Sequence, residues 1–209
     1  MTTFSARPTP SLPSSPGPQA NITVGLRPHP ACAEGLQPGS DRVLVRMWCE
    51  DDHSVVVEFN IERAEPAQLL LPAPQRPSAA DGLWQHSCCE VFLALPGETA
   101  YREYNFSPSG QWAAYAFHAE RERSEFTPDA VPASSFARHA QGFTLRALIP
   151  PQLLPPDHAG QALQVGLASV LERSDHHLEY WAAHHPAPRP DFHHRASFCL
   201  LLPAPGFRS

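Results

Sequence analysis

From residue 21 onward the chain is built of short runs in which apolar and polar residues alternate, separated by Pro, Gly and charged tips. Residues 42–50 (RVLVRMWCE) set Val43, Val45, Met47 and Cys49 against Arg42, Arg46 and Glu50. Residues 54–62 (SVVVEFNIE) repeat the pattern with Val55, Val57, Phe59 and Ile61, and the polar tip at 50–53 predicts a hairpin between the two runs. The Pro-rich stretch 72–81 reads as a loop, because proline cannot continue a strand ladder. Further strands are expected at 88–95, 101–107, 111–118, 143–149, 163–171, 178–182 and 197–202, with a tight turn at Ser107-Pro108-Ser109-Gly110. Helical pieces are limited to single turns near 65–71 and 151–154. Nine or ten short strands with no βαβ rhythm predict an all-β, antiparallel β-sandwich of jelly-roll type.

The 209 residues fit one domain. Residues 1–20 (MTTFSARPTPSLPSSPGPQA) are Pro- and Ser-rich and read as a disordered tail, leaving 21–205 as the sandwich. That segment has no apolar core of secretory-signal length. Five cysteines without paired spacing read as free thiols, so the expected setting is cytoplasmic. All 15 basic residues are arginine, and the formal charge is −6, which gives no global attraction for nucleic acid. No apolar stretch is long enough to span a bilayer, so no membrane partner is expected. The absence of lysine excludes Schiff-base and Ser–Lys chemistry as well as phosphate clamps of the P-loop kind. Glycine-rich nucleotide loops, GxSxG and HExxH are all missing.

Twelve histidines remain, and His184, His185, His193 and His194 flank the loop PAPRPDF. Two such pairs could supply metal ligands if the loop folds back, or they are ordinary polar loop residues. Trp84 stands in a polar loop entry (DGLWQH) outside any alternating strand, where it either contacts a ligand or caps the end of the sandwich. Glu90 shares a face with Cys88 and Phe92, and a carboxylate on such a face needs a partner, either Arg102 or Arg146 or a ligand hydroxyl. Glu103 and Asn105 share a face of the next strand and extend that polar patch or form a solvated face.

The stretches DGLWQHSCCEVFL, YREYNFSPSGQWAAY and HPAPRPDFHH carry a resemblance to bacterial DOMON-like domain proteins, which are similar to family 9 carbohydrate-binding modules. The likeness runs from about His29 to Pro203. It implies a sandwich whose loops and one sheet face hold a small-molecule ligand. In the sugar-binding relatives, Trp84 of the W-x5-E stretch would stack on a pyranose and Glu90 would accept hydroxyl hydrogen bonds. Asn105 falls on the next strand, and Trp181 is the second aromatic wall that the resemblance implies. His86 and the loop 186–194, with Asp191 and His193, form the candidate rim. DOMON relatives that bind haem use a Met with a His or Lys; here lysine is absent and the methionines are Met1 and Met47. The resulting expectation is a non-catalytic carbohydrate-binding module without a cofactor. The alternatives are a haem or metal module using His86 and the late histidines, and a glycoside-acting enzyme with Glu90 and Asp191 or a histidine as acid and base.

Overall fold

Twelve strands form in the computed structural model, which describes residues 22–204; the tail assigned to 1–20 lies outside the described residues. In chain order they are β1 (Ile22–Pro28), β2 (Arg42–Cys49), β3 (Val55–Glu62), β4 (Cys88–Ala94), β5 (Tyr101–Phe106) and β6 (Trp112–Ala119). There follow β7 (Glu122–Ser124), β8 (Ala133–His139), β9 (Gly142–Ile149), β10 (Leu163–Glu172), β11 (Leu178–Ala182) and β12 (Leu200–Leu202). The single turns near 65–71 and 151–154 appear as 3-10 turns at Pro66–Gln68 and Pro151–Leu153. No helix among the described residues is long and apolar enough to cross a membrane.

The pairing is antiparallel throughout the named strands and gives two layers. The first runs β1-β2-β3-β9-β8 and the second β7-β6-β5-β4-β10-β11, with β12 against the start of β10. β1 belongs to both: Ile22–Leu26 pair with β2, and then Arg27 and Pro28 pair with Ala182 and Trp181 of β11. The alternation read in the sequence becomes the space between the layers. Val43, Val45 and Met47 meet Val91, Leu93, Tyr104, Phe106 and Leu167 in one core, all nearly inaccessible. The architecture is the expected antiparallel β-sandwich.

Gly142, opposite Glu62 at the start of β9, shows how tightly the first layer closes. A Cβ there would lie 2.1 Å from the Ile61 carbonyl oxygen, and the residue's φ is 156°. Because the obstacle is backbone, relief requires the strands to part. Gly142→Ala is therefore expected to destabilise the fold by about 1–3 kcal/mol, read as a lower urea midpoint with unchanged slope. A loss below a few tenths would mean the β3–β9 corner yields.

Three strands escaped sequence reading. β8 and β7 are edge strands with mostly exposed side chains, whereas β1 alternates Ile22, Val24 and Leu26 against Thr23, Gly25 and Arg27 and was open to the same reading as β2. Without a buried face, an edge strand carries almost no periodic signal.

Candidate functional site

The face of the second layer turned away from the core holds the chemistry. Strand parity puts Cys88, Glu90, Phe92 and Ala94 of β4 on it, which is why all seven residues of β4 are buried. Across this face one ladder row reads Ala182, Ala168, Glu90, Asn105, Ala113 from β11 to β6. Three alanines beside two polar residues leave the row shallow. The next row, Gly166, Phe92, Glu103, Tyr115, is bulky toward its β6 end. A cleft of about 360 Å³ opens over this floor, with Glu90 and Glu103 lining it. That size suits a small ligand.

Two loops raise the walls. Gly82 adopts a left-handed conformation (φ 74°), which turns the chain into the 3-10 turn Leu83–Gln85. That turn lifts Trp84, 36% exposed, to the rim, edge-on to Tyr115 at 5.9 Å between ring centres. Opposite, the segment 186–194 folds over the sheet and brings Pro190, Phe192 and His193 to the cleft. His193 packs against Phe92 and Phe117, and its Nδ1 lies 2.8 Å from the Tyr101 hydroxyl. The β6–β7 hairpin contributes Arg121 and Arg123. The Arg123 guanidinium lies 4.0 Å from the Tyr115 ring centre, and Arg121 pairs with Asp191 at 2.7 Å.

The electrostatics of the floor are set by burial. Glu90 is 3% exposed, and its Oε1 has no hydrogen-bond partner in the structure. Loss of hydration, reinforced by the nearby Glu103 carboxyl, pushes its pKa well above the usual carboxylate range. Burial likewise raises Glu103 to about 7, against the hydrogen bond that Asn105 donates to its Oε1 at 2.9 Å. His193 Nε2 lies 3.6 Å from Glu103 Oε2, yet burial dominates and holds the imidazole down at about 4. No arginine lies within ion-pair distance of Glu90 or Glu103 among the described residues.

The arginines expected to pair with Glu90 do not reach it. Arg102 sits on the opposite face of β5 with its guanidinium over Phe126, and Arg146 lies in the other sheet near Trp48. Trp84, Glu90 and His193 line the cleft. Asn105 lies beneath it as the support of Glu103. Asp191 accepts the His193 backbone N–H at 3.1 Å and holds Arg121, so it shapes the loop and does not line the cleft.

Trp181 is elsewhere. Neighbouring residues on β11 point to opposite faces, and Trp181 falls into the core, 2% exposed, with its Nε1 donating to Glu179. Tyr180, one residue earlier, lines the cleft in its place. His86 also points away: its Nδ1 and that of His176 lie 2.8 Å from the two oxygens of Glu172. The late histidines do not converge. His185 bonds the Arg27 carbonyl, His194 accepts the Ala196 N–H, and His184 is exposed. Among the described residues, no group of three or more His, Cys, Asp or Glu side chains is placed to hold a metal ion. Met47, considered for haem, is in the core.

Pro190 and Phe192 line the cleft as part of the loop expected at the rim, while Phe117, Arg121, Arg123, Val170 and Tyr180 line it without having been singled out in the sequence. Strand parity relative to Glu90 could have found Phe117, Val170 and Tyr180. The others depend on how two loops lie.

No family model matches the chain, and no curated protein matches it by sequence. Its fold does have solved counterparts. One is a Bacteroides uniformis protein provisionally described as carbohydrate-binding, with TM-score 0.58, 15% identity and 83% of each chain covered. Another is a family 9 carbohydrate-binding module from Caldicellulosiruptor kristjanssonii in complex with glucose, with TM-score 0.51, 11% identity, and 82% of this chain and 81% of that one covered. Neither likeness speaks for the DOMON-like group in particular. At these identities the chain shares with both proteins a β-sandwich fold.

Proposed function

We propose that this protein is a non-catalytic binding module whose cleft takes a single carbohydrate ring. The observation that carries the reading is the pairing of an exposed aromatic, Trp84, with two buried carboxyl groups, Glu90 and Glu103, in one cleft. A sugar has an apolar ring face for the indole and hydroxyls for the carboxyl groups, so one ligand satisfies both. The solved counterparts support the reading, one being a module holding glucose. The acid–base pair of Glu90 with Asp191 has less support, because Asp191 is tied to Arg121 and does not share the cleft. Cys32, Cys88, Cys89 and Cys199 are free thiols, which supports a reducing, cytoplasmic setting and hence a small glycan or sugar conjugate as ligand over structural polysaccharide.

Trp84→Ala tests the reading directly. The side chain is exposed and closes no core cluster, so the variant should fold normally. Monosaccharide affinity by calorimetry should fall by about tenfold, or about 1.4 kcal/mol. Sugar binding that survives Trp84→Ala undiminished would place the ligand elsewhere. The absence of any stabilisation by monosaccharides in thermal shift would remove the carbohydrate reading altogether.

A further inference from the structure

We propose that the cleft selects a sugar ring carrying a protonated amine, its ammonium group seated on the floor formed by Glu90 and Glu103. The proposal rests on the carbohydrate reading above and narrows it.

Hydroxyls can donate to this floor, but an ammonium group also supplies the positive charge it lacks. Glu90 is 3% exposed, faces the cleft, and has an oxygen without any hydrogen-bond donor. Glu103 is diagonal to it across the β4–β5 ladder, since Glu90 pairs with Asn105 and Phe92 with Glu103. Diagonal partners on one sheet face are about 7–8 Å apart or less, within joint reach of one ammonium group. A buried carboxyl pair without a cation is costly, and a single ligand charge relieves both members at once. The walls suit the same ligand, because Trp84, Phe117, Tyr180 and Phe192 present aromatic surface to a cationic ring.

Charged and titratable groups face the floor from the sheet, the 186–194 loop and the β6–β7 hairpin. On the sheet, Glu90 has Cys88 on its own strand, Glu103 on β5 and Tyr180 on β11; burial raises the pKa of each, and none supplies a positive charge. From the loop, His193 is held neutral by burial and Asp191 is turned to Arg121. From the β6–β7 hairpin, Arg121 and Arg123 are the only cations lining the cleft among the described residues, and both are solvent-exposed at its rim. Arg121 is engaged by Asp191 and Arg123 is stacked on Tyr115, so an anionic sugar would have to break existing contacts. A cation meets vacant acceptors.

The reaction is an exchange of charge. Burial favours the proton on the Glu90 carboxyl, so docking of an ammonium ion displaces a proton to solvent and leaves an ammonium–carboxylate pair. Affinity for the amine therefore rises with pH until the ligand's own amine begins to lose its charge. Affinity for a neutral sugar has no such step.

Calorimetry of the full chain with glucosamine, glucose and cyclohexylamine, in buffers of differing ionisation enthalpy, tests this. Glucosamine should bind at least about tenfold more tightly than glucose, with net release of about one proton. Glu90→Gln should collapse the glucosamine-to-glucose ratio toward unity. Glu103→Gln should lower the same ratio, and serves if the first variant proves unstable. Equal binding of glucose and glucosamine without proton release overturns the proposal and leaves the carbohydrate reading standing. Cyclohexylamine binding as tightly as glucosamine keeps the ammonium site and overturns the carbohydrate reading. Binding of none of the three overturns both.

Discussion

Arg63→Ala is expected to cost about 3–5 kcal/mol of stability, among the largest losses a single substitution produces in a domain of this size. Arg63 follows β3, and its guanidinium clasps both oxygens of Glu179 on β11, with one nitrogen 2.8 Å from Oε1. Its Nε lies 3.5 Å from Asp41, and the indole nitrogen of Trp181 donates to Glu179 at 3.1 Å. The side chains of Arg63 and Glu179 are 6% and 1% exposed. Removing the arginine leaves a carboxylate in the interior with only an indole N–H for company. The cluster also links the two layers, since β3 belongs to one and β11 to the other. Urea denaturation followed by Trp fluorescence measures the loss. Glu179→Ala alone should cost a similar amount, and the double variant far less than the sum, because the second removal takes away the stranded partner. A loss below about 1 kcal/mol for Arg63→Ala would mean that solvent reaches this cluster.

That network bears on what the sequence could show. Glu179 and Trp181 share a strand face by simple alternation, so they could be placed together once β11 was recognised. Which face they share depends on the pairing of Val170 with Tyr180 and Ser169 with Trp181, a register fixed by the turn between β10 and β11. A shift of one residue exchanges the two faces. The sequence therefore supports an aromatic from β11 in the cleft but not the choice between Tyr180 and Trp181. Within β4 the position was better defined, because the apolar residues Val91 and Leu93 mark the core side and leave Glu90 on the other. Trp84 was legible for a different reason: a large aromatic outside any alternating run has no core to enter. The 186–194 loop was expected at the rim, but which of its side chains would enter the cleft, and the arginines of the β6–β7 hairpin, were not legible. Their positions come from two loops folding onto a sheet, and loops carry no periodicity.

The carboxyl floor makes a second large prediction, this time in pH. Glu103 holds its proton up to about 7 in the folded protein against 4.5 ordinarily, so the folded state binds protons that the unfolded chain has already released. Stability from this group is fully present below about 4.5 and is lost as pH rises toward 7, by on the order of 3 kcal/mol. Glu90 acts in the same direction. His193 acts in the opposite one: held at about 4 against 6.5, it is destabilising where the unfolded histidine is charged, so its effect grows as pH falls from 6.5 toward 4. Glu103 and His193 therefore offset each other through much of the range between 4.5 and 6.5, leaving Glu90 to tilt the profile toward acid. Glu103→Gln removes one side of that balance. Its thermal midpoint should rise with pH from 4.5 to 6.5 relative to the parent and exceed it by several degrees at about pH 8, at about 2–4 °C per kcal/mol. An offset between variant and parent that is the same at pH 5 as at pH 8 would show that the carboxyl does not titrate abnormally. The parent should regain the same stability at about pH 8 on adding a ligand that satisfies the floor, since whatever pairs with these carboxylates in the folded state removes the reason for their cost. Glu103→Gln and that ligand should then be partial substitutes for one another, each stabilising the protein less when the other is present.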